Sequence, residues 1–322
     1  MIAEQEWARA VKVVKGSAEV AVCCHVAPDG DAFGSMLALG RVLGQQGKKV
    51  WMSWGSEEPV VPYSYAWLPG TDLITRPDAV PEAPETFIAV DCADLKRLEL
   101  LTGRFEGAGT TINLDHHLSN SGFGDLNLVD PRKASSAELV FELIRRMEVP
   151  IDSDTATCLY TGVVTDTGRF QYSNTIPETL RAAAELRDLG ADHLAVAERV
   201  YESASLAQLR ILGNVLARAQ LQDGVVFSWL ETKDLAGERP EAAEDIIDVL
   251  RTVRDARIAL LLKEQADGSW KGSLRSRGGG DVSQVAKSFG GGGHAAAAGF
   301  TVQGSRDEVV EQVLGRLAKV SA

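Results

Sequence analysis

Short apolar runs alternate with helical patterns in the first half of the chain. Four of the runs predict β-strands, over residues 18–26, 49–54, 86–91 and 110–114. Three stretches have apolar residues at helical spacing, over residues 34–47, 135–147 and 154–164. Strands that alternate with helices are typical of a parallel sheet that helices cover on both faces. This half of the chain is therefore predicted to be an α/β domain.

The second half has a different pattern, which predicts a linker and a smaller domain. Residues 179–221 look helical and charged, with a strong apolar stripe over 205–221. The last hundred residues contain further strands, further helices and a glycine-rich block at 290–299. The strands are predicted over 225–230, 257–263 and 269–275, and the helices over 241–253 and 306–320. We divide the chain into a first domain over residues 1–190, a helical linker over 191–221 and a smaller α/β domain over 222–322.

Polar side chains collect where the predicted strands of the first domain end, which is where parallel α/β sheets bind their ligands. The first strand ends near His25, with Asp29 shortly after it, and the third ends in Asp91. Two further motifs, INLDHH at 112–117 and GVVTDTG at 162–168, add carboxylates and histidines. The candidate site consists of eight residues: His25, Asp29, Asp31, Asp91, Asp115, His116, His117 and Asp166.

This set of residue types indicates a metal centre. Several carboxylates in one pocket repel each other unless cations neutralise them. Imidazole and carboxylate together suit manganese, zinc or iron, and two divalent ions about 3.5–4 Å apart are usual for phosphoryl hydrolysis. Taken singly, Asp31 and Asp115 also fit a helix N-cap or a turn. However, three of the five histidines of the chain lie in these motifs, which favours metal binding over a purely structural set.

The composition is that of a globular protein with an acidic surface. The 322 residues are 45% hydrophobic and 24% charged, with a formal net charge of -12. This charge repels long duplex DNA, whereas a small phosphorylated ligand can still bind in a metal-filled pocket. The four cysteines form no CxxC pair and are expected to be buried thiols. Neither a signal peptide nor a run of about 18 apolar residues is visible, so we expect a cytoplasmic protein without a membrane partner.

Four motifs occur in an order that resembles the DHH phosphoesterase superfamily. They are HVAPDGDAFGS at 25–35, AVDCAD at 89–94, DHH at 115–117 and VVTDTG at 163–168. In the last hundred residues, SLRSR at 273–277 and FGGGGHAAAAGF at 289–300 resemble the DHHA1 domain that follows the DHH domain in one branch. The resemblance spans nearly the whole chain and implies an N-terminal DHH domain and a C-terminal DHHA1 domain.

The resemblance also implies roles for the residues of the metal centre. The family usually binds two manganese ions, with cobalt or magnesium as alternatives. The first ion would be held by His25, Asp29 and Asp91. The second would be held by Asp31, Asp91, His116 and Asp166, with Asp91 bridging the two. Asp115 would orient a ligand histidine, and His117 would face the substrate phosphate and stabilise its developing charge.

The resemblance to DHHA1 implies that the second domain binds the substrate. Glycines let the backbone N–H groups approach a phosphate or carboxylate, a histidine can contact a phosphate or a base, and arginines offer bidentate phosphate contacts. In isolation, the glycines also fit a flexible turn and the arginines a solvated face. The residues implied are Arg275, Ser276, Arg277, Gly291, Gly292, Gly293 and His294. The all-alanine stretch 295–298 departs from the family pattern, and we expect it to pack rather than to bind.

Chain length and domain order favour the compact type within the family. This type includes nanoRNases, phosphoadenosine-phosphate phosphatases, and phosphodiesterases acting on cyclic di-AMP and its linear dinucleotide. The lysine-rich motif of the family's pyrophosphatases is not visible, and 322 residues leave little room for the OB-type domain of its long exonucleases. We expect hydrolysis of RNA of two to five nucleotides, adenosine 3′,5′-bisphosphate, or a linear or cyclic dinucleotide by a hydroxide that two metal ions activate. The resemblance is compatible with a homodimer.

The sequence is also compatible with two functions from other classes. The first is a nucleotide sensor that kept the fold but has weak catalysis, and the complete set of ligand residues argues against it. The second is a DHHA1-led RNA-binding protein. The negative charge and the 6% of aromatic residues argue against a stacking platform for long RNA.

Overall fold

The computed structural model describes residues 2–235, 237, 246–278 and 280–320. The chain forms two compact units, Met1–Ser203 and Ala204–Ala322. Each unit has its own β-sheet and its own hydrophobic core. Across the described residues, every helix is too short or too polar to cross a membrane.

The first unit is built on a five-stranded parallel sheet. Its strands are β1 (Glu19–Cys24), β2 (Lys49–Trp54), β3 (Thr86–Val90), β4 (Thr110–Asp115) and β5 (Leu126–Val129). Their order in the sheet is β2-β1-β3-β4-β5, and every pair is parallel. The predicted α/β class of the first domain is therefore confirmed.

Helices and turns cover both faces of this sheet. The helices are α1 (Glu4–Gly16), α2 (Gly30–Gln45), α3 (Thr102–Glu106), α4 (Ser136–Arg146), α5 (Ser153–Asp166), α6 (Pro177–Asp188) and α7 (His193–Val196), followed by a π-helical turn at Ala197–Tyr201. Cys24 packs in the core with α1, α2, α4 and α5. Its neighbour Cys23 packs in the opposite core, with Phe105 of α3 and with a 3-10 turn at Leu95–Leu101. Successive strand residues point to opposite faces, so both cysteines are buried as free thiols.

The helix α2 begins earlier than its apolar pattern predicts. The pattern placed its start at residue 34, whereas the helix starts at Gly30. The Asp29 side chain accepts hydrogen bonds from the N–H groups of Asp31 and Ala32, which satisfies the first turn. The start of α2 therefore carries acidic residues into the site instead of leaving them in a loop.

The second unit is built on a six-stranded mixed sheet. Its strands are β6 (Gln220–Gln222), β7 (Val225–Leu230), β8 (Ile258–Glu264), β9 (Trp270–Ser276), β10 (Gly292–His294) and β11 (Ala297–Val302). The order is β10-β11-β9-β8-β7-β6, with only β7 and β8 parallel among these strands. Its helices are α8 (Leu206–Ala217), α9 (Ile246–Leu250), α10 (Val282–Lys287) and α11 (Arg306–Val320).

Both faces of this second sheet are also covered. Leu260 packs on one face with residues of α10 and α11, and Leu261 packs on the other with residues of α8 and α9. The predicted helix over 241–253 begins outside the described residues. The glycine-rich block, for which no strand was predicted, forms the hairpin of β10 and β11.

Candidate metal centre

Three neighbouring parallel strands end at the candidate metal centre. His25 follows β1, Asp91 follows β3, and Asp115 is the last residue of β4. Because β3 pairs with both β1 and β4, these residues start from adjacent strand ends at one edge of the sheet. The predicted collection of polar residues at the carboxyl edge is therefore present in the structure.

Asp29 and Asp31 have different environments although they are two residues apart. The Asp29 side chain is 59% exposed, whereas that of Asp31 is 1% exposed. Asp31 accepts hydrogen bonds from the backbone N–H groups of Ser136 at 2.6 Å and Ala137 at 2.9 Å, at the start of α4. Helix N-termini favour such anionic partners. The capping role that the sequence also allowed for Asp31 belongs to Asp29, the N-cap of α2.

Close packing of α2 against α5 brings Asp31 towards Asp166, the last residue of α5. A Cβ atom added at Gly30 would lie 2.5 Å from Thr165 Oγ1, and one at Gly162 would lie 2.8 Å from Asp31 Oδ1. Both distances are too short for a side chain, so glycine is required at these two positions. The two helices can therefore hold their acidic residues in one place.

The candidate ligands form two groups, and within each group three ligand atoms lie within 4.8 Å of one another. The first group is His25, Asp29 and Asp91. The second is Asp31, His116 and Asp166. In the first, His25 Nε2 lies 3.9 Å from Asp29 Oδ2. In the second, His116 Nε2 lies 3.4 Å from Asp166 Oδ2 and 3.9 Å from Asp31 Oδ2.

Asp91 belongs to the first group and also contacts the second. Its Oδ2 atom is 3.4 Å from His25 Nε2, and its Oδ1 atom is 3.6 Å from His116 Nε2. The carboxylate is 3% exposed, and Ser136 Oγ donates a hydrogen bond to Oδ1 at 2.8 Å. The φ angle of Asp91 is 58°, in the left-handed region that non-glycine residues rarely adopt. Such strain often accompanies a functional position, and here it lets one buried carboxylate present an oxygen to each group.

Asp115 and His117 form a hydrogen-bonded pair beside these groups. His117 Nδ1 lies 2.7 Å from Asp115 Oδ1, and Asn120 Nδ2 donates to Asp115 Oδ2 at 2.6 Å. Asp115 therefore orients His117. The neighbouring His116 has a different partner, because its Nδ1 atom lies 3.4 Å from the carbonyl oxygen of Lys133. A third group of close ligand atoms joins Asp91, His116 and His117. His117 is thus within reach of the centre as well as in contact with its acidic partner.

The charges of the centre shift the pKa values of its own members. The hydrogen bond with Asp115 raises the pKa of His117 to about 9, against the opposing effect of burial. Burial raises the pKa of Asp166 to about 7, although the charge of His116 lowers it. Burial also acts to raise the pKa of Asp91, but the hydrogen bond with His25 and the nearby imidazoles outweigh it and hold that pKa below its ordinary value. The cluster therefore holds a proton at neutral pH when it lacks a cation.

The residues present fit two divalent cations. The two groups supply two imidazole nitrogens and four carboxylates, a donor mixture that suits manganese, iron or zinc. Burial and the charge of Asp91 raise the pKa of Asp31 well above its ordinary value, so its charged form lacks compensation. A cation beside Asp31 and His116 would supply that compensation. The residues that would hold the cations are those of the two groups.

Sequence reasoning missed the residues that hold the ligands in place. Ser136 contacts both Asp91 and Asp31, and Asn120 fixes Asp115. A serine before an apolar helical pattern is a signal for a helix start, and here that serine is Ser135, the N-cap of α4. The signal places Ser136 in the first turn but does not indicate that it contacts the ligands. Arg97 was also missed: its Nη2 atom lies 2.8 Å from His25 Nδ1.

The predicted substrate-binding residues come together in the second unit. Arg275 and Ser276 end β9, Arg277 follows them, and Gly291 immediately precedes β10. In the sheet, Ala297 of β11 pairs with Arg275 on one side and with His294 on the other. The two predicted motifs, which are separated in sequence, are thus neighbours in the sheet.

The three central glycines differ in what their positions require. A Cβ atom at Gly291 would lie 2.1 Å from the carbonyl oxygen of Gly299, and one at Gly293 would lie 2.5 Å from that of Ala297. Gly293 also has a φ angle of 138°. At Gly292, by contrast, a Cβ atom would meet nothing within 4 Å. Close packing explains why glycine is needed at positions 291 and 293, but it does not explain the glycine at position 292.

Comparison with known families finds a match for most of the chain. Residues 19–163 match the DHH family, N-terminal domain, and residues 223–320 match the DHHA1 domain. The chain is 34% identical to the bifunctional oligoribonuclease and PAP phosphatase NrnA of Thermus thermophilus. That similarity extends over 95% of this chain and 91% of the relative.

Solved structures show a similar fold. An exopolyphosphatase-related protein from Bacteroides fragilis has a TM-score of 0.92 and 28% sequence identity, and the match covers 99% of this chain and 97% of that one. The exonuclease RecJ bound to manganese has a TM-score of 0.52, and the match covers 98% of this chain and 95% of that one. Its sequence identity is 16%, so this second likeness concerns the fold alone.

Proposed function

Because this chain belongs to the DHH family, with a DHH domain followed by a DHHA1 domain, we propose that it hydrolyses phosphate esters of small nucleotides. Its family makes it a phosphoesterase. The proposed substrates are RNA of two to five nucleotides, adenosine 3′,5′-bisphosphate, and linear or cyclic adenine dinucleotides. The relative from Thermus thermophilus is named for two such activities, those of an oligoribonuclease and a PAP phosphatase.

The position of Asp91 is the observation that carries this proposal. One oxygen of its carboxylate faces His25 and the other faces His116, so that it can bridge the two ligand groups. Two cations that share a carboxylate ligand are the usual arrangement for phosphoryl hydrolysis. A site for one structural cation would not need two groups of ligands that are joined through one aspartate.

We propose that the two groups bind manganese, with cobalt or magnesium as alternatives. When bound, the two cations would neutralise phosphate oxygens and lower the pKa of the attacking water. The protein's own task is to hold the ligands rigidly. Buried Asp31 and Asp91 are fixed by the start of α4, and Asp29 is fixed as the cap of α2.

His117 is proposed to stabilise the phosphate. Its pKa of about 9 keeps the imidazole protonated at neutral pH in the metal-free centre, and the hydrogen bond with Asp115 holds the ring in place. An oriented N–H donor stabilises negative charge that develops on a phosphate oxygen. Asp115, which is fully buried, would position His117 rather than contact the substrate.

The second unit is proposed to bind the nucleotide. The N–H group of Gly292 and the guanidinium groups of Arg275 and Arg277 suit phosphate oxygens. The open space at the Gly292 Cβ position supports this role, because a ligand can approach the backbone there. Ser276 and His294 lie within the same pair of motifs.

A panel of substrates tests the proposal. The full chain would be loaded with Mn²⁺ and incubated with an RNA dinucleotide, adenosine 3′,5′-bisphosphate, cyclic di-AMP, its linear form and inorganic pyrophosphate. We expect turnover of at least one adenine nucleotide in wild-type protein and its loss in His116→Ala. Turnover of pyrophosphate alone would overturn the proposed substrate class. Tight nucleotide binding without turnover, under manganese, cobalt or magnesium, would instead support a sensor.

A further inference from the structure

Arg97 lies at the edge of the metal centre. Its Nη2 atom is 2.8 Å from Nδ1 of His25, on the opposite side of the ring from the nitrogen that faces Asp91. The arginine belongs to the 3-10 turn Leu95–Leu101, and its side chain is exposed. A cationic group is therefore present beside a cluster that is otherwise rich in carboxylates.

Two backbone hydrogen bonds hold Arg97 in place. Its carbonyl oxygen accepts a hydrogen bond from the N–H of Val26 at 3.1 Å, and its own N–H donates to the carbonyl of Asp94 at 3.0 Å. The turn also packs tightly on Gly55, where an added Cβ would lie 2.0 Å from the carbonyl oxygen of Leu98. These contacts hold the backbone of Arg97, from which its side chain extends, close to His25.

His25 Nδ1 cannot satisfy both of its neighbours. It lies 2.9 Å from the carbonyl oxygen of Val26 and 2.8 Å from the Arg97 guanidinium. A neutral imidazole has one N–H and one lone pair. If Nε2 uses its lone pair to bind a cation, Nδ1 carries the hydrogen and donates it to Val26. Arg97 then has no acceptor on the ring, and its guanidinium is available to another partner.

The Arg97 guanidinium has no acidic partner among the described residues. It forms no ion pair with a carboxylate there, although Asp29 and Asp91 both lie near the far side of His25. A guanidinium has five N–H donors in a planar fork that matches phosphate oxygens. An arginine that lacks an acidic partner and borders a metal centre is suited to an anionic ligand.

We propose that Arg97 binds a non-bridging oxygen of the substrate phosphate that lies at the metal centre. This inference rests on the proposed phosphoesterase function and adds a phosphate-binding residue from the first unit to it. Arg97 would shift from His25 to the substrate when the centre is loaded, and it would contribute to substrate binding rather than to metal binding.

The test separates substrate binding from metal binding. Arg97→Ala and Arg97→Lys would be compared with wild-type protein and with Lys96→Ala, a neighbouring exposed cation in the same turn. Calorimetry would measure Mn²⁺ affinity, and equilibrium dialysis would measure the Kd of adenosine 5′-monophosphate for the Mn²⁺-loaded protein. KM and kcat would be measured on the RNA dinucleotide or on another substrate that the wild type turns over.

We expect Arg97→Ala to bind the monophosphate about 10- to 100-fold more weakly, as for a lost charge-assisted hydrogen bond, with Mn²⁺ affinity unchanged. Arg97→Lys should fall between alanine and wild type because it keeps the charge but not the fork. Lys96→Ala should match wild type.

Two results would overturn the inference while the proposed function stands. One is an Arg97→Ala variant whose turnover, nucleotide Kd and KM all equal those of the wild type. The other is a loss of Mn²⁺ affinity in that variant with nucleotide binding otherwise intact, which would make Arg97 a residue that orients His25. A wild type that neither binds the monophosphate nor turns over any phosphoester would overturn the proposed function and this inference together.

Discussion

Ser136 Oγ donates a hydrogen bond to Asp91 Oδ1 over 2.8 Å, which joins the first turn of α4 to the residue after β3. The same turn binds Asp31 through the backbone N–H groups of Ser136 and Ala137. One helix start therefore holds two buried carboxylates of the metal centre. Both carboxylates are therefore held in place before a cation binds, and metal binding costs less conformational entropy.

The first prediction concerns this serine. Ser136→Ala should weaken Mn²⁺ binding by about 10-fold or more, because groups that orient metal ligands commonly contribute about 10- to 100-fold in affinity. Titration calorimetry on the metal-free protein measures the change. Ser283→Ala is a matched control, since that buried hydroxyl donates to Asp281 in the second unit and should leave Mn²⁺ affinity unaltered. Equal affinities in all three proteins would contradict the role of Ser136.

The second prediction concerns metal stoichiometry. Wild-type protein should retain two manganese ions per chain, Asp29→Asn one and Asp91→Asn fewer than one, because Asp91 faces both ligand groups whereas Asp29 belongs to the first group alone. Metal analysis after gel filtration gives the count. Turnover of Asp91→Asn should fall by about 1,000-fold or more, since metal assistance is worth several kcal/mol. Two ions retained in Asp91→Asn would show that the bridging assignment is wrong, and circular dichroism would verify that each variant is folded.

The third prediction concerns protons and pH. In the metal-free protein at about pH 6.5, His117 with a pKa of about 9 and Asp166 with a pKa of about 7 are both mostly protonated. A cation bound by Asp166 favours the deprotonated form of that carboxyl, whereas His117 keeps the proton that the hydrogen bond with Asp115 stabilises. Mn²⁺ binding should therefore release protons, and its apparent affinity should rise with pH up to about pH 7.

Calorimetry in buffers with different ionisation enthalpies measures this release. The binding enthalpy should vary linearly with the buffer ionisation enthalpy, with a slope that corresponds to more than half a proton released. Asp166→Asn should reduce the slope because it removes the carboxyl that loses the proton, whereas His117→Gln should leave the slope close to that of the wild type. A slope of zero, or proton uptake, would contradict a raised pKa of Asp166.

The fourth prediction separates packing from binding in the glycine-rich hairpin. Gly291→Ala should destabilise the fold by about 1–3 kcal/mol because its Cβ would meet the Gly299 backbone. Gly292→Ala should leave the free energy of unfolding within about 1 kcal/mol of wild type, since open space surrounds its Cβ position, yet it should raise KM for nucleotides. Urea unfolding and steady-state kinetics supply the two readouts. An unchanged KM in Gly292→Ala would argue against a ligand at that glycine.

Strands with strong apolar runs were predictable from the sequence, and the weaker elements were not. The strands β2 and β7 match their predicted bounds because apolar and β-branched residues fill them between polar flanks. The hairpin of β10 and β11 was missed because glycine and alanine have little β-propensity of their own. Its pairing depends on contact with β9, which local sequence does not show.

Residue types and their positions relative to the predicted strands were enough to identify the family and the residues that converge at the carboxyl edge. The use of each of these residues depends on how the chain packs. The tertiary structure made Asp29 the cap and Asp31 the buried partner of α4, and it brought Ser136 and Arg97 to the centre. The physical reason is distance along the chain: these contacts join residues 45, 72 and 105 positions apart, and only packing of the helices and turns on the sheet brings them together.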